Sequence, residues 1–238
     1  MEQRFFIAGA TGYTGRAVVR QLCAANISVV AHIRADSPKG DLWRTTFKDQ
    51  GATVVQTSWE EQSIAQALSQ HSPTHVFSLL GTTKHKNKSE AQRGKEASYE
   101  LIDRDLSLLL LKCSEALETK PLFLFLSSMG VVDNTQNRYL RARADVERAI
   151  KLSELSWLIA QPAFISGSDR KEFRPLERFG ALVGDGVLNG LSFLGGTALR
   201  NKYASLTSDQ LAAGLISWAL QDPPSSRYLS AEDLRSGL

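Results

Sequence analysis

Phe5-Phe6-Ile7-Ala8-Gly9-Ala10-Thr11-Gly12-Tyr13-Thr14-Gly15-Arg16-Ala17-Val18-Val19 reads as a short apolar strand that breaks into three evenly spaced glycines and then takes up helical spacing. Each glycine has its own task in such a turn. Gly9 lets the chain bend off the strand, Gly12 lets backbone amides approach an anion closely, and Gly15 lets the helix pack tightly on the strand. The helix start adds free N–H groups and the positive end of its dipole. With a second apolar strand expected at 27–33, the unit has the form of a dinucleotide-binding βαβ turn, with Thr11, Tyr13 and Thr14 as further cofactor contacts.

Working outward, apolar runs predict strands at 4–8, 27–33, 52–56, 75–80, 121–127 and 156–160, separated by helical patterns at 14–25, 59–70, 95–117 and 138–153. Strands alternating with helices argue for an α/β fold, a doubly wound parallel sheet of Rossmann-like form. Residues 1–165 are expected to form the nucleotide-binding domain. Residues 166–238 are expected to form a small lid or substrate region packed on it, closed by a helix at 211–220 behind the capping box Thr207-Ser208-Asp209-Gln210.

A chain of 238 residues, 42% of them hydrophobic, can bury a full core without staples. Its two cysteines, Cys23 and Cys113, fall in separate predicted helices and read as reduced thiols of a cytoplasmic protein. No apolar run is long enough to span a membrane. A formal charge of +3, not interleaved with aromatics, argues against nucleic acid as a partner, and His85 has no metal-ligand spacing with another His or Cys.

Where the second strand ends, an acid would suit the ribose 2′-hydroxyl of NAD, whereas this chain places Arg34 there, with Ser37 and Lys39 close by. An arginine fork suits a 2′-phosphate, so NADP(H) is favoured over NAD(H), with Asp36 as the opposing charge. The fourth strand runs into Leu80-Gly81-Thr82-Thr83, at the edge where open α/β sheets bind ligands. A basic loop at 84–95 follows. The fifth strand delivers Ser127-Ser128-Met129-Gly130 to the same edge, and the next helix carries Tyr139 and Arg143, four apart and on one face. Arg141, Glu147, Arg148 and Lys151 are expected to face outward or sideways.

These stretches resemble the atypical short-chain dehydrogenase/reductases with an NAD(P)H-binding domain, and most of all the oxidoreductase-like group that includes the Tat-interacting protein. The glycine turn, Leu80-Gly81-Thr82-Thr83, Asp103-Arg104-Asp105, Ser127-Ser128-Met129-Gly130, Tyr139-Leu140 with Val146-Glu147, and Asp169-Arg170-Lys171-Glu172-Phe173-Arg174-Pro175 carry the resemblance. It implies that Ser128 (or Ser127) orients a carbonyl, that Tyr139 donates the proton, and that Pro162-Ala163-Phe164 borders the nicotinamide. The chain departs from the pattern in having Arg143 where the reductases carry lysine, and Gln161 where relatives often carry arginine. Arginine keeps the charge but cannot readily pass a proton. The expectation is an NADP(H)-dependent oxidoreductase acting on a small carbonyl or alcohol, as a monomer or weak homodimer. A cofactor-bound sensor or interaction module and a nucleotide-sugar epimerase or dehydratase are the alternatives.

Overall fold

Phe5, Phe6, Ile7 and Ala8 alternate between two apolar faces, and burying both faces of a strand requires helices above and below the sheet. The computed structural model, which describes residues 2–81, 104–162, 165–166, 206–221 and 226–236, has that form. Six strands, β1 (Arg4–Ala8), β2 (Ser28–Arg34), β3 (Thr53–Thr57), β4 (His75–Ser78), β5 (Leu122–Leu126) and β6 (Trp157–Ala160), join a seventh. A two-stranded ladder, β7 (Ile165–Ser166) with β8 (Leu206–Thr207), stands apart, and β9 (Arg227–Leu229) completes the main sheet. Its order is β3-β2-β1-β4-β5-β6-β9, with every neighbouring pair parallel. The strand order reverses between β1 and β4, where Ala8 lies opposite Ser78, and the crevice beyond such a reversal is where ligands bind in this class of sheet.

Helices α1 (Tyr13–Ala24), α2 (Gly40–Asp49), α3 (Glu61–His71), α4 (Leu106–Glu115), α5 (Arg138–Leu152), α6 (Ser208–Ala219) and the short α7 (Asp233–Ser236) divide between the two faces. One core packs Ala17, Val18 and Leu22 of α1, Phe47 of α2, Leu211 and Leu215 of α6 and Leu234 of α7 against Phe5, Ile7, Phe77 and Leu124. The other packs Ile64 and Leu68 of α3, Leu110 of α4, and Val146 and Ile150 of α5 against Phe6, Val76, Phe123 and Phe125. Each of these buried Phe, Leu and Ile side chains contributes about 1.5–3 kcal/mol by leaving water.

The six expected strands and the helices at 14–25, 59–70 and 138–153 lie within about two residues of those observed. Sequence reasoning missed α2 and β9. Of the helix expected at 95–117, the described part is α4, preceded by a wider turn at Arg104 and Asp105. The expectations placed on 82–103, on Ala163 and Phe164, and on 167–205 lie outside the described residues. Helix α6 carries its capping box: Thr207 Oγ1 accepts from Gln210 N–H at 3.2 Å, and the Gln210 amide oxygen accepts from Thr207 N–H at 3.0 Å.

Candidate functional site

The glycine turn joins β1 to α1 at the reversal point. Gly9 has φ +84°, a left-handed conformation costly for other residues, and a Cβ on it would stand 2.6 Å from the Leu79 carbonyl oxygen. A Cβ on Gly15 would stand 2.2 Å from the Gly9 carbonyl oxygen and 2.8 Å from Ala10 Cα, so only glycine lets α1 sit this close to the strand end. Gly12 is different. Its φ of −73° and ψ of 169° admit any residue, and a Cβ there would meet only the Gly9 oxygen, at 3.1 Å. Glycine at 12 therefore keeps open the space over the first amides of α1, which receive no side-chain cap and have no acid in the first turn. An open, uncapped helix start with that space above it fits a pyrophosphate. Thr11 and Tyr13 flank it, partly exposed, and Thr14 is buried behind it.

At the end of β2, Arg34 Nε lies 3.2 Å from Asp36 Oδ1, with both side chains partly exposed. Ser37 is half-buried in the following turn, and Lys39 is exposed at the start of α2. Beyond β4, Leu79 and Leu80 are buried and Gly81 is exposed, while Thr82, Thr83 and Phe164 lie outside the described residues.

On the other side of the reversal, the expected chemical residues gather at the ends of β5 and α5. Asn137 caps α5, its Oδ1 accepting from the amides of Tyr139 at 3.0 Å and Leu140 at 3.2 Å. The cap sets Tyr139 in the first helical turn. The guanidinium of Arg143, one turn on, lies 4.8 Å from the centre of the Tyr139 ring and 5.6 Å from that of Phe125, and donates to the Leu126 carbonyl. Arg143 is only 5% exposed. Ser128 is half-buried and donates to the Met129 carbonyl at 3.2 Å; Pro162 is buried, its carbonyl accepting from Met129 N–H at 3.1 Å.

Glu147 corrects the sequence reading. It was expected to face out or sideways, yet it is 5% exposed. The reason is geometric: positions 139, 143 and 147 are each four apart, so all three lie along the face that α5 turns to the sheet. Its carboxylate accepts from Ser127 Oγ, from Gln161 Nε2 at 3.0 and 3.3 Å, and from the Tyr228 hydroxyl at 3.2 Å. Burial, and then the charge of Glu147 and its hydrogen bond, push the Tyr228 phenol up to about 12. The helical spacing was the available signal for Glu147; nothing in the sequence marked Tyr228. A cavity of about 310 Å³ opens beside this group, lined in part by Val131, Val132, Asp133, Gln161 and Tyr228. Among the described residues no group of His, Cys, Asp and Glu is arranged to hold a metal, and no helix is long and apolar enough to cross a membrane.

Residues 9–187 match the family model described as NAD(P)H-binding. The chain belongs to the NAD(P)H-binding family. That membership agrees with the atypical short-chain dehydrogenase/reductase resemblance and implies a nicotinamide cofactor. Solved structures of the same fold include a candidate NAD-dependent epimerase/dehydratase from Bacillus halodurans, at 19% identity over 99% of this chain and 100% of the other, TM-score 0.67. A candidate epimerase from Burkholderia cenocepacia aligns at 18% identity over 98% of this chain and 78% of its own, TM-score 0.66. The UDP-glucose 4-epimerase of Thermus thermophilus, solved with NAD, aligns at 14% identity over 98% and 81%, TM-score 0.64. Identities this low show a shared fold. No curated protein sequence matches the chain.

Proposed function

We propose that this member of the NAD(P)H-binding family is an NADP(H)-dependent oxidoreductase acting on a carbonyl or the corresponding alcohol. The observation that carries the reading is one shared sheet edge, with the open start of α1 on one side of the reversal and Ser128, Tyr139 and Arg143 on the other. The turn from Gly9 to Gly15 would hold the pyrophosphate on backbone amides, with Leu80, Gly81, Thr82, Thr83, Ser127, Pro162 and Phe164 as further cofactor contacts. Arg34 and Lys39 would take the 2′-phosphate, Arg34 exchanging its partner Asp36 for the phosphate. When bound, the nicotinamide supplies the hydride donor or acceptor. Ser128 would then hold the substrate oxygen by its hydroxyl proton, and Tyr139 would give up its phenolic proton as charge develops on that oxygen, a role worth about 10²–10⁴ in rate. Arg143 would stabilise the resulting phenolate by its fixed charge. The lid or substrate role is proposed for 166–238 as a whole; within it, β9 joins the main sheet and α6 packs in its core.

A fluorescence titration with NADPH and NADH, repeated with Arg34→Ala, tests the cofactor half. NADPH binding about tenfold tighter than NADH, lost in the variant, is expected. An aldehyde and quinone screen tests the chemistry: Tyr139→Phe should lower turnover about 10²-fold or more without changing NADPH affinity. One observation favours a second reading, a cofactor-bound sensor with little turnover. Arg143 is already engaged by the Leu126 carbonyl and two aromatic rings, and cannot readily shuttle a proton. Tight NADPH binding with no turnover across the screen, and protease sensitivity that changes with cofactor redox state, would favour it. The same screen run with UDP-sugars tests the epimerase alternative.

A further inference from the structure

Two serines end β5, and the chain treats them differently. Ser127 is 4% exposed and its hydroxyl donates to Glu147, whereas among the described residues the half-buried Ser128 hydroxyl reaches only the next residue's carbonyl, at 3.2 Å. A serine hydroxyl has a single proton. Once that of Ser127 is given to a carboxylate, the cofactor contact proposed for Ser127 is left to its lone pairs and backbone carbonyl, with no hydroxyl proton to offer a substrate oxygen. Ser128 spends its proton on a long, local bond that a substrate oxygen replaces at small cost.

Glu147 is what makes the difference. Among the described residues it forms no ion pair; its buried carboxylate is held by neutral donors from three adjacent strands and the residues that follow them. These are Ser127 after β5, Gln161 after β6 and Tyr228 within β9. One turn earlier Arg143 grips the Leu126 carbonyl, so the two buried charged side chains of α5 bracket the last peptide of β5. Beyond the serines the contacts move to the surface: Met129 N–H donates to the Pro162 carbonyl at 3.1 Å, Asp133 lies 3.5 Å from Arg148, and Val132, at the rim of the 310 Å³ cavity, is 59% exposed. A buried carboxylate shared by several strands fixes them together, because a partner that leaves costs the full desolvation of what it abandons.

The geometry points to Glu147 as a positioning residue that decides which serine meets the ligand, by drawing the Ser127 hydroxyl inward and tying the serine turn to Gln161 and Tyr228 at the far edge of the sheet. What Ser128 then does rests on the oxidoreductase reading above; the tether itself rests on the contacts alone.

Two measurements on the full chain test this. Ser127→Cys and Ser128→Cys, labelled with a methanethiosulfonate reagent and read by peptide mass so that Cys23 and Cys113 are separated, should differ: Ser128→Cys labels about tenfold faster or more. Adding Glu147→Ala should bring Ser127→Cys to within about threefold of it, and Glu147→Gln, which keeps an acceptor oxygen, should restore most of the gap. In hydrogen exchange, Tyr228→Phe should speed the 127–134 peptide about threefold, and Ser127→Ala should do the same at 226–230, with 5–25 unchanged. These two variants leave the buried charge in place, so the result stands even where Glu147→Ala fails to fold. Equal labelling of the two cysteines, no restoration by Glu147→Gln, or silence of each peptide to the distant variant overturns the proposal. An NADPH titration on the same wild-type and variant samples keeps the readings apart: absence of NADPH binding strikes the cofactor reading and leaves the tether standing.

Discussion

Helices α1 and α5 both start at the carboxyl edge of the sheet, one on each side of the strand reversal, and their first turns are finished in opposite ways. The amides that open α1 receive no side-chain cap, because Gly12 stands at the cap; those that open α5 are closed by Asn137. A helix end left open keeps its partial positive charge for an outside anion, while a helix end capped from within spends that capacity on rigidity. The difference divides the labour of the edge: backbone on the α1 side suits the binding of phosphate, and side chains on the α5 side, held by a fixed helix start, suit chemistry.

The harshest way to break the α1 side is Gly15→Ala. Its Cβ would strike backbone on two residues, so urea denaturation should show a loss of about 3 kcal/mol or more, with NADPH binding abolished. A mild outcome would mean that α1 can slide, and that closeness to the strand is not what glycine secures. The comparison also has a pH window. His32, on β2, is packed between Phe6 and Trp59 and bonded to Thr57 Oγ1 at 2.9 Å; burial first, then the Arg34 charge, lower it to about 4. The unfolded chain, with an ordinary histidine near 6.5, binds the extra proton first. Stability is therefore full above about pH 6.5 and falls as pH drops toward 4, by an order of 3 kcal/mol from this residue. His32→Phe should flatten the fall when urea midpoints are followed from pH 7.5 to 4.5, and the difference between wild type and variant separates His32 from the carboxylates.

On the α5 side, Asn137→Ala removes the cap and should cost about 1 kcal/mol, a drop of about 2–4 °C in Tm, with NADPH affinity intact. Affinity falling along with stability would show that the two helix starts are not independent. The smallest change in stability is expected from Gly12→Asn, which gives α1 the cap it lacks but sets a Cβ 3.1 Å from the Gly9 carbonyl oxygen: a net change within a few tenths of a kcal/mol. The same change should weaken NADPH about tenfold, because the new side chain occupies the place of the anion. A gain in stability without loss of binding would undo the contrast.

Much of the fold was legible because both faces of the sheet are covered. Strands such as Phe5 to Ala8 and Leu122 to Leu126 are apolar throughout, and the glycines between β1 and α1 mark the turn. Helix α2 was missed because it opens on Gly40 and Asp41 within a charged stretch, and its apolar contribution is confined to Trp43 and Phe47, with Leu42 turned to solvent. Strand β9 was missed because three residues, Arg227, Tyr228 and Leu229, carry no period; it is a strand because β6 offers it a partner. Of the candidate site, the grouping of Ser127, Ser128, Tyr139 and Arg143 at one edge was readable from spacing. Glu147 reads as solvent-facing from its charge, yet its helical angle turns it to the sheet, where a buried acid is tolerated because enough donors converge.

Strand β9 also gives the molecule a history. The amide of Trp157, at the start of β6, is satisfied by the hydroxyl of Ser226, 69 residues further along the chain. During synthesis β6 must emerge from the ribosome long before the strand that covers it. Through that interval one side of the growing sheet is a bare ladder of donors and acceptors, open to any other extended chain. Shielding of that edge by a chaperone, or swift arrival of 226–229, would govern how much of the protein reaches its native state in the cell.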